Sequence, residues 1–169
     1  IAGEIMGEYG LQVPTLSGGG IAFDRRGGQT DTAEFKAWFK DSKVVNPDGS
    51  PMVMYHGTTR ATFTVFDRMK STEWRRPSMD TVGSWFSDNP SEDGGAGMYS
   101  AGGESAIYPV YLSIQNPKRY RTFNDFLRHM HRAAGRKMED QPAPGRGSTE
   151  ELRAELKADG FDGIEFDAQ

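Results

Sequence analysis

The sequence predicts a mixed domain of short strands and short amphipathic helices, and three observations carry that prediction. Apolar runs bounded by turn residues recur at Pro51–Tyr55, Gly83–Ser87 and Ile107–Ile114, each short enough for a strand. Helical spacing appears elsewhere, at Phe35, Trp38 and Phe39 and again at Phe123, Phe126, Leu127, Met130 and Ala134. At 169 residues the chain can bury one substantial core but not two good ones, so one domain is expected.

In chain order, the first thirty residues hold eight glycines among scattered apolar positions. They read as a linker or loosely docked arm, residues 1–30, ahead of a domain at 31–169. Asp31-Thr32-Ala33-Glu34 sets an acceptor side chain and a glutamate where a helix start leaves backbone amides unpaired. Phe35, Trp38 and Phe39 form the buried face of that helix, with Lys36 and Lys40 solvated. Asn46-Pro47-Asp48-Gly49 is a turn, because proline presets its own φ and glycine accepts φ > 0. The next run, Pro51 to Tyr55, delivers the chain to His56 and Gly57. A hydrogen-bonding ring thus ends a core strand beside a residue whose backbone a ligand can approach closely. The plainer reading of His56 alone is a structural histidine capping a turn.

Phe63–Asp67 reads as a short extended segment and Met69–Met79 as a loop. Gly83-Ser84-Trp85-Phe86-Ser87 is a strand halted by Asp88-Asn89-Pro90. Adjacent strand residues face opposite sides, so only one of Trp85 and Phe86 can face a cleft, and Trp85 is assigned to the core. Ser91–Gly103 is glycine-dense around Met98-Tyr99 but lacks the lysine and hydroxyl of a phosphate-binding loop. That excludes nucleoside triphosphate binding of the P-loop kind and leaves flexible cover over a site. In the strand Ile107–Ile114, Pro109 argues for an edge or a bulge. Thr122 or Asn124 caps the helix that follows, and Arg128, Arg132 and Arg136 line its side. A solvated face accounts for that row more simply than a phosphate or acidic partner does. His129 and His131, two apart on a helix, cannot form a two-histidine clamp, and no metal is expected. Ser148-Thr149-Glu150-Glu151 starts another helix, ended by Gly160, and Phe161–Phe166 turns into a last strand.

Composition narrows the function classes. The chain has no cysteine, which excludes disulfides and thiolate metal sites, and no stretch as long as a membrane-spanning helix, so a soluble protein is expected. It opens on Ile1-Ala2-Gly3-Glu4, neither an initiator methionine nor a secretion signal, and reads as part of a larger polypeptide. The net charge of −4 hides an asymmetry: residues 115–147 carry a balance of +5, against −9 for the remainder. About 118–147 reads as a basic helical insert.

Five motifs in order, Phe39-Lys40-Asp41-Ser42-Lys43-Val44-Val45, Tyr55-His56-Gly57-Thr58, Gly83–Pro90, Tyr108-Pro109-Val110-Tyr111-Leu112 through Asn116-Pro117, and Asp159-Gly160-Phe161-Asp162-Gly163-Ile164, resemble the ADP-ribosyltransferase domains of phage and mobile-element polyvalent proteins. Those in turn are similar to the diphtheria-toxin and poly(ADP-ribose) polymerase branch of the superfamily. The resemblance covers about residues 32–166. It implies an α+β fold, a split pair of small antiparallel sheets with flanking helices and NAD in the cleft between them. His56 matches the histidine that hydrogen-bonds the adenosine ribose, Gly57 the residue whose backbone holds the nicotinamide amide, and Thr58 a support for that turn. Phe86 and Ser87 match the aromatic ring and hydroxyl that help wall the nicotinamide pocket, and Tyr99 sits where a second stacking aromatic is expected.

The same resemblance implies a glutamate on a late strand, to stabilise the cation that forms when the nicotinamide–ribose bond breaks. Glu165 is the candidate, unless the catalytic strand lies beyond Gln169. An exposed edge-strand carboxylate is its plainer reading. The expected activity is NAD-dependent mono-ADP-ribosyl transfer to a macromolecular acceptor, foremost a protein, with nucleic acid kept open by the basic stretch and phage delivery or secretion as the setting. NAD is expected as substrate, with no metal. NAD glycohydrolysis and a catalytically inactive ADP-ribose- or partner-binding module are the alternatives. Arg119, Arg121 and the arginine row are candidates for target recognition.

Overall fold

A computed structural model describes residues 2–5, 28–59, 66, 82–100, 105–135 and 146–167. The extended segment expected around Phe63 and the loop from Met69 lie outside them, apart from Phe66. Six strands, β1 (Ala2–Ile5), β2 (Met54–Thr58), β3 (Ser84–Ser87), β4 (Ala106–Val110), β5 (Pro117–Tyr120) and β6 (Gly163–Phe166), accompany three helices, α1 (Ala33–Phe39), α2 (Phe123–Ala133) and α3 (Arg146–Ala158). The strand order is β4-β2-β3-β1-β6-β5. The pair of small antiparallel sheets expected of the fold is instead joined into one six-stranded sheet, because β1 bonds both to β3 and to β6. Antiparallel pairing holds except between β5 and β6, which run parallel. The connection between those two passes through α2 and α3, a crossover long enough to return the chain in the same direction.

Local chemistry sets each element. The Thr32 hydroxyl accepts from the Phe35 amide at 3.1 Å to cap α1. Thr122 and Asp125 cap α2 reciprocally: Asp125 N–H donates to the Thr122 hydroxyl at 3.1 Å, and Thr122 N–H to the Asp125 carboxylate at 3.0 Å. The Asn46–Gly49 turn closes through Gly49 N–H on the Asn46 carbonyl, with Gly49 at φ +83°. Pro109 lies in β4, an edge strand, where its missing N–H costs no central pairing. α3 begins at Arg146, two residues ahead of the start expected at Ser148, and the basic stretch begins as a strand, β5, rather than as helix. Ala2–Ile5, within the stretch expected as an arm, is a strand, whereas 6–27 lie outside the described residues.

Two cores flank the sheet. Phe126, Met130, Leu152, Leu156, Ile164, Tyr120 and Val82 form one, beneath α2 and α3. Met54, Phe86, Tyr108, Val110, Leu112 and Ile114 form the other. Trp85 packs edge-on against Phe126 at 5.9 Å and stacks on Phe166 at 6.0 Å, so it joins the helical core as expected. Phe86, one residue on, is buried in the second core. Strand alternation thus sends adjacent aromatics of β3 to different cores, each burial contributing about 2 kcal/mol.

Buried polar groups tie these layers together. The Ser42 hydroxyl donates to the Leu112 carbonyl at 2.7 Å and accepts from the amides of Ile114 and Val44 at 3.2 and 3.3 Å. The Phe39–Val45 motif therefore fastens α1 to the chain leaving β4. His129 donates from Nε2 to Glu155 at 2.9 Å, and its Nδ1 meets the Tyr120 hydroxyl at 2.6 Å, linking α2, α3 and β5. Burial raises the Tyr120 pKa, reinforced by Glu155.

Candidate functional site

The register of the sheet aligns the residues of interest. His56 pairs with Tyr108 across β2 and β4. Tyr55 pairs with Ser87, which sets His56 opposite Phe86 in the antiparallel ladder. Phe86 in turn pairs with Gly3, Gly3 with Glu165, and Glu165 with Arg119. Directly opposed residues point to the same face, so Tyr108, His56, Phe86, Glu165 and Arg119 share one row and one face. Three strand spacings separate His56 from Glu165, about 14 Å between their backbones. Between them the row passes through Gly3, which has no side chain.

His56 is held on three sides. Its Nδ1 lies 2.8 Å from the Trp85 carbonyl oxygen, and a carbonyl only accepts, so Nδ1 carries the proton. In the neutral ring Nε2 is then an acceptor, the form that takes a hydroxyl proton. The ring packs edge-on against Phe66 at 4.9 Å and at a tilt to Phe86 at 5.5 Å. Phe86, expected to wall a ligand pocket, is only 2 % exposed. It lies among Met54, Tyr108 and Val110 and supports His56 from within the core.

Gly57 and Ser87 belong to the opposite face by the same alternation. A methyl group built on Gly57 would sit 1.7 Å from the Ala96 carbonyl oxygen and 3.3 Å from Tyr99 Cβ. The 3-10 helix Ala96–Tyr99 therefore lies directly on the Gly57 backbone, an approach only glycine permits. Tyr99 and Met98 are 68 % and 56 % exposed beside it. The stretch expected as flexible cover is folded back as far as Ser100: Ala96 N–H donates to the Asn89 carbonyl, Gly97 N–H to the Ser91 carbonyl, and Gly95, Ala96 and Gly97 are buried. The Ser87 hydroxyl accepts from Asn89 N–H at 3.1 Å and starts this turn. Thr58, on the His56 face, pairs with Ala106 at the end of β2.

Glu165 projects away from the helical core, since Ile164 and Phe166 on either side of it belong to that core. Arg119 Nε lies 2.9 Å from Glu165 Oε2, with Arg119 65 % and Glu165 24 % exposed. Asp162 fixes this register. Its carboxylate accepts from the amides of Gln115 and Asn116 at 2.7 and 2.8 Å, joining the entrances of β5 and β6. The Asp-Gly motif thus has a structural origin in a loop clamp. Arg119 was expected only as a target-recognition candidate; its pairing with Glu165 is hidden in sequence because 46 residues separate the two and only the parallel register joins them.

The arginine row of α2 is a solvated face where it is described: Arg128 pairs with Asp125, and Arg132 lies 3.7 Å from Glu155. Among the described residues no cluster of three or more His, Cys, Asp or Glu could hold a metal ion, and no helix is long and apolar enough to cross a membrane. A small recess lined by Gln29, Glu34, Phe35, Trp38 and Tyr111 shares no residue with the His56–Glu165 row.

No curated protein and no solved structure matches the chain. Residues 46–169, the span that carries β2 to β6 and both His56 and Glu165, match the family described as ADP-ribosyltransferase in polyvalent proteins. That match takes in well over half of the sequence, and the chain belongs to the family of ADP-ribosyltransferases in polyvalent proteins.

Proposed function

We propose that this protein is an NAD-dependent mono-ADP-ribosyltransferase that passes ADP-ribose from NAD to a macromolecular acceptor, foremost a protein, and that it acts as one domain of a larger polypeptide. The observation that carries the reading is the shared row and face of His56 and Glu165. With Nδ1 committed to the Trp85 carbonyl, His56 Nε2 accepts the adenosine ribose hydroxyl. The roles that the resemblance implies for Gly57 and Tyr99, holding the nicotinamide amide and stacking on the departing base, fall on the face opposite that row and stay outside this reading. Ser87 and Thr58 support the stretches that carry those two residues, and Phe86 acts by fixing His56 rather than by stacking. As the nicotinamide–ribose bond breaks, the electron pair leaves with the nicotinamide and positive charge grows on the ribose. The Glu165 carboxylate stabilises that charge and orients the ribose 2′-hydroxyl, an electrostatic contribution realised mainly in the transition state.

The test is nicotinamide release and transfer of label from labelled NAD in a lysate, by the wild type beside His56→Ala and Glu165→Gln. Label on a macromolecule, lost at least a hundredfold in both variants (about 2.7 kcal/mol of transition-state stabilisation), is the expected result. Free ADP-ribose as the sole product identifies a glycohydrolase. An inert chain that binds ADP-ribose through His56 is a binding module.

A further inference from the structure

We infer that Arg119 is a positioning residue for Glu165, holding one carboxylate oxygen so that the other faces the row. This rests on the transferase reading above and names a group that the reading leaves out. Three observations converge on it. Arg119 and Glu165 are partners in the parallel β5–β6 ladder, so their side chains leave the sheet side by side on the same face as His56. The contact is made by Nε, at 2.9 Å to Oε2, and Oε1 has no partner among the described residues. The register beneath the pair is set by the Asp162 carboxylate on the Gln115 and Asn116 amides and by Asp162 N–H on the Asn116 carbonyl.

Arg119 stands on the side of Glu165 away from His56, because the row runs Tyr108, His56, Phe86, Gly3, Glu165, Arg119. The guanidinium meets the carboxylate on that far side and leaves the side toward Gly3 clear of it. Glutamate has three rotatable side-chain bonds, and a planar guanidinium on one oxygen restricts them toward a single arrangement. Arg119 is largely exposed, so solvent screens the pair and removing it leaves folding nearly unchanged. Its effect falls on the geometry of the reacting complex, where small misplacements cost rate.

The experiment is steady-state nicotinamide release by wild type, Arg119→Met, Arg119→Lys and the exposed-charge control Lys157→Met, with thermal unfolding of each. The expected result is a kcat at least tenfold lower for Arg119→Met, KM for NAD within twofold, an intermediate kcat for Arg119→Lys, and no change for Lys157→Met. The same Arg119→Met change made on Glu165→Ala then lowers residual release less than twofold, because no carboxylate is left to orient. An unchanged or raised kcat in Arg119→Met overturns the assignment, and a rise identifies the ion pair as a lock on the site. A change confined to KM overturns it in favour of direct NAD binding by Arg119. A wild type that releases no nicotinamide overturns the transferase reading and this inference together, whereas an active wild type with an indifferent Arg119 overturns this inference alone.

Discussion

Asp162 and Asn116 bond reciprocally: the Asp162 carboxylate accepts the Asn116 amide proton at 2.8 Å, and Asp162 N–H donates to the Asn116 carbonyl at 3.2 Å. With the Gln115 amide on the second oxygen, one side chain determines where two parallel strands begin. Asp162→Ala removes two charge-assisted hydrogen bonds and is expected to cost about 2–3 kcal/mol, read as a lowered urea midpoint with unchanged m-value. Asp162→Asn keeps an acceptor oxygen and should lose about half as much. An Asp162→Ala protein as stable as wild type would show that the clamp is ornamental.

Gly57 is the second position at which one atom decides the outcome. Gly57→Ala drives a methyl group into the Ala96 carbonyl and should displace the 3-10 helix together with Tyr99, costing about 3 kcal/mol. Gly28→Ala, where a methyl group meets nothing within 4 Å, is the matched control and should be neutral or slightly stabilising. Equal stability of the two variants contradicts the packing described for Gly57.

Lys40 closes α1 at φ 49° and ψ −128°, a backbone region that suits glycine, while its side chain is exposed. Lys40→Gly relieves the strain and discards no packing. A gain of about 1 kcal/mol is expected in the same urea measurement. A loss would mean that the Lys40 side chain contributes something its exposure does not suggest.

The pH dependence follows from two carboxylates. The His129 hydrogen bond lowers the Glu155 pKa from 4.5, assisted by Arg132 and Lys118, and the Thr122 and Arg128 hydrogen bonds lower that of Asp125 from 3.8. The folded state therefore binds fewer protons than the unfolded state in this range, and stability rises with pH. Their contribution is complete above the ordinary values and disappears as pH falls through the lowered ones. The urea midpoint should fall between about pH 6 and about pH 3, and Glu155→Gln should flatten that decline. A midpoint independent of pH in both proteins contradicts the assignment.

How much of this was legible in the sequence depends on the range of the interactions. The α1 and α2 caps, the turn at Asn46–Gly49 and the opposite facing of Trp85 and Phe86 depend on neighbours a few residues apart, and the sequence patterns located them. Strand β5 is hidden in the sequence because Lys118-Arg119-Tyr120-Arg121 shows three charges and a single buried ring, Tyr120. The alternation of buried and exposed positions becomes visible only beside β6. The burial of Phe86 beside His56 is hidden for a related reason: motif position cannot tell a ring that lines a pocket from one packed beneath a neighbouring ring. The candidate site was legible as a set of residues but not as a row, since the row is a property of pairing between distant strands.

The pairing of Gly3 with Glu165 has a consequence in time as well as in space. β1 and β6 lie near opposite ends of the described chain, so their contact closes the longest loop in the fold and contributes most to a high contact order. During synthesis β1, β2, β3 and β4 emerge first and can pair while the last strand is still being made. The half of the sheet carrying His56 can therefore form early, and Glu165 joins it only after nearly the whole domain has been translated. Until β6 is made, the row lacks its carboxylate, whatever else of the sheet has already formed.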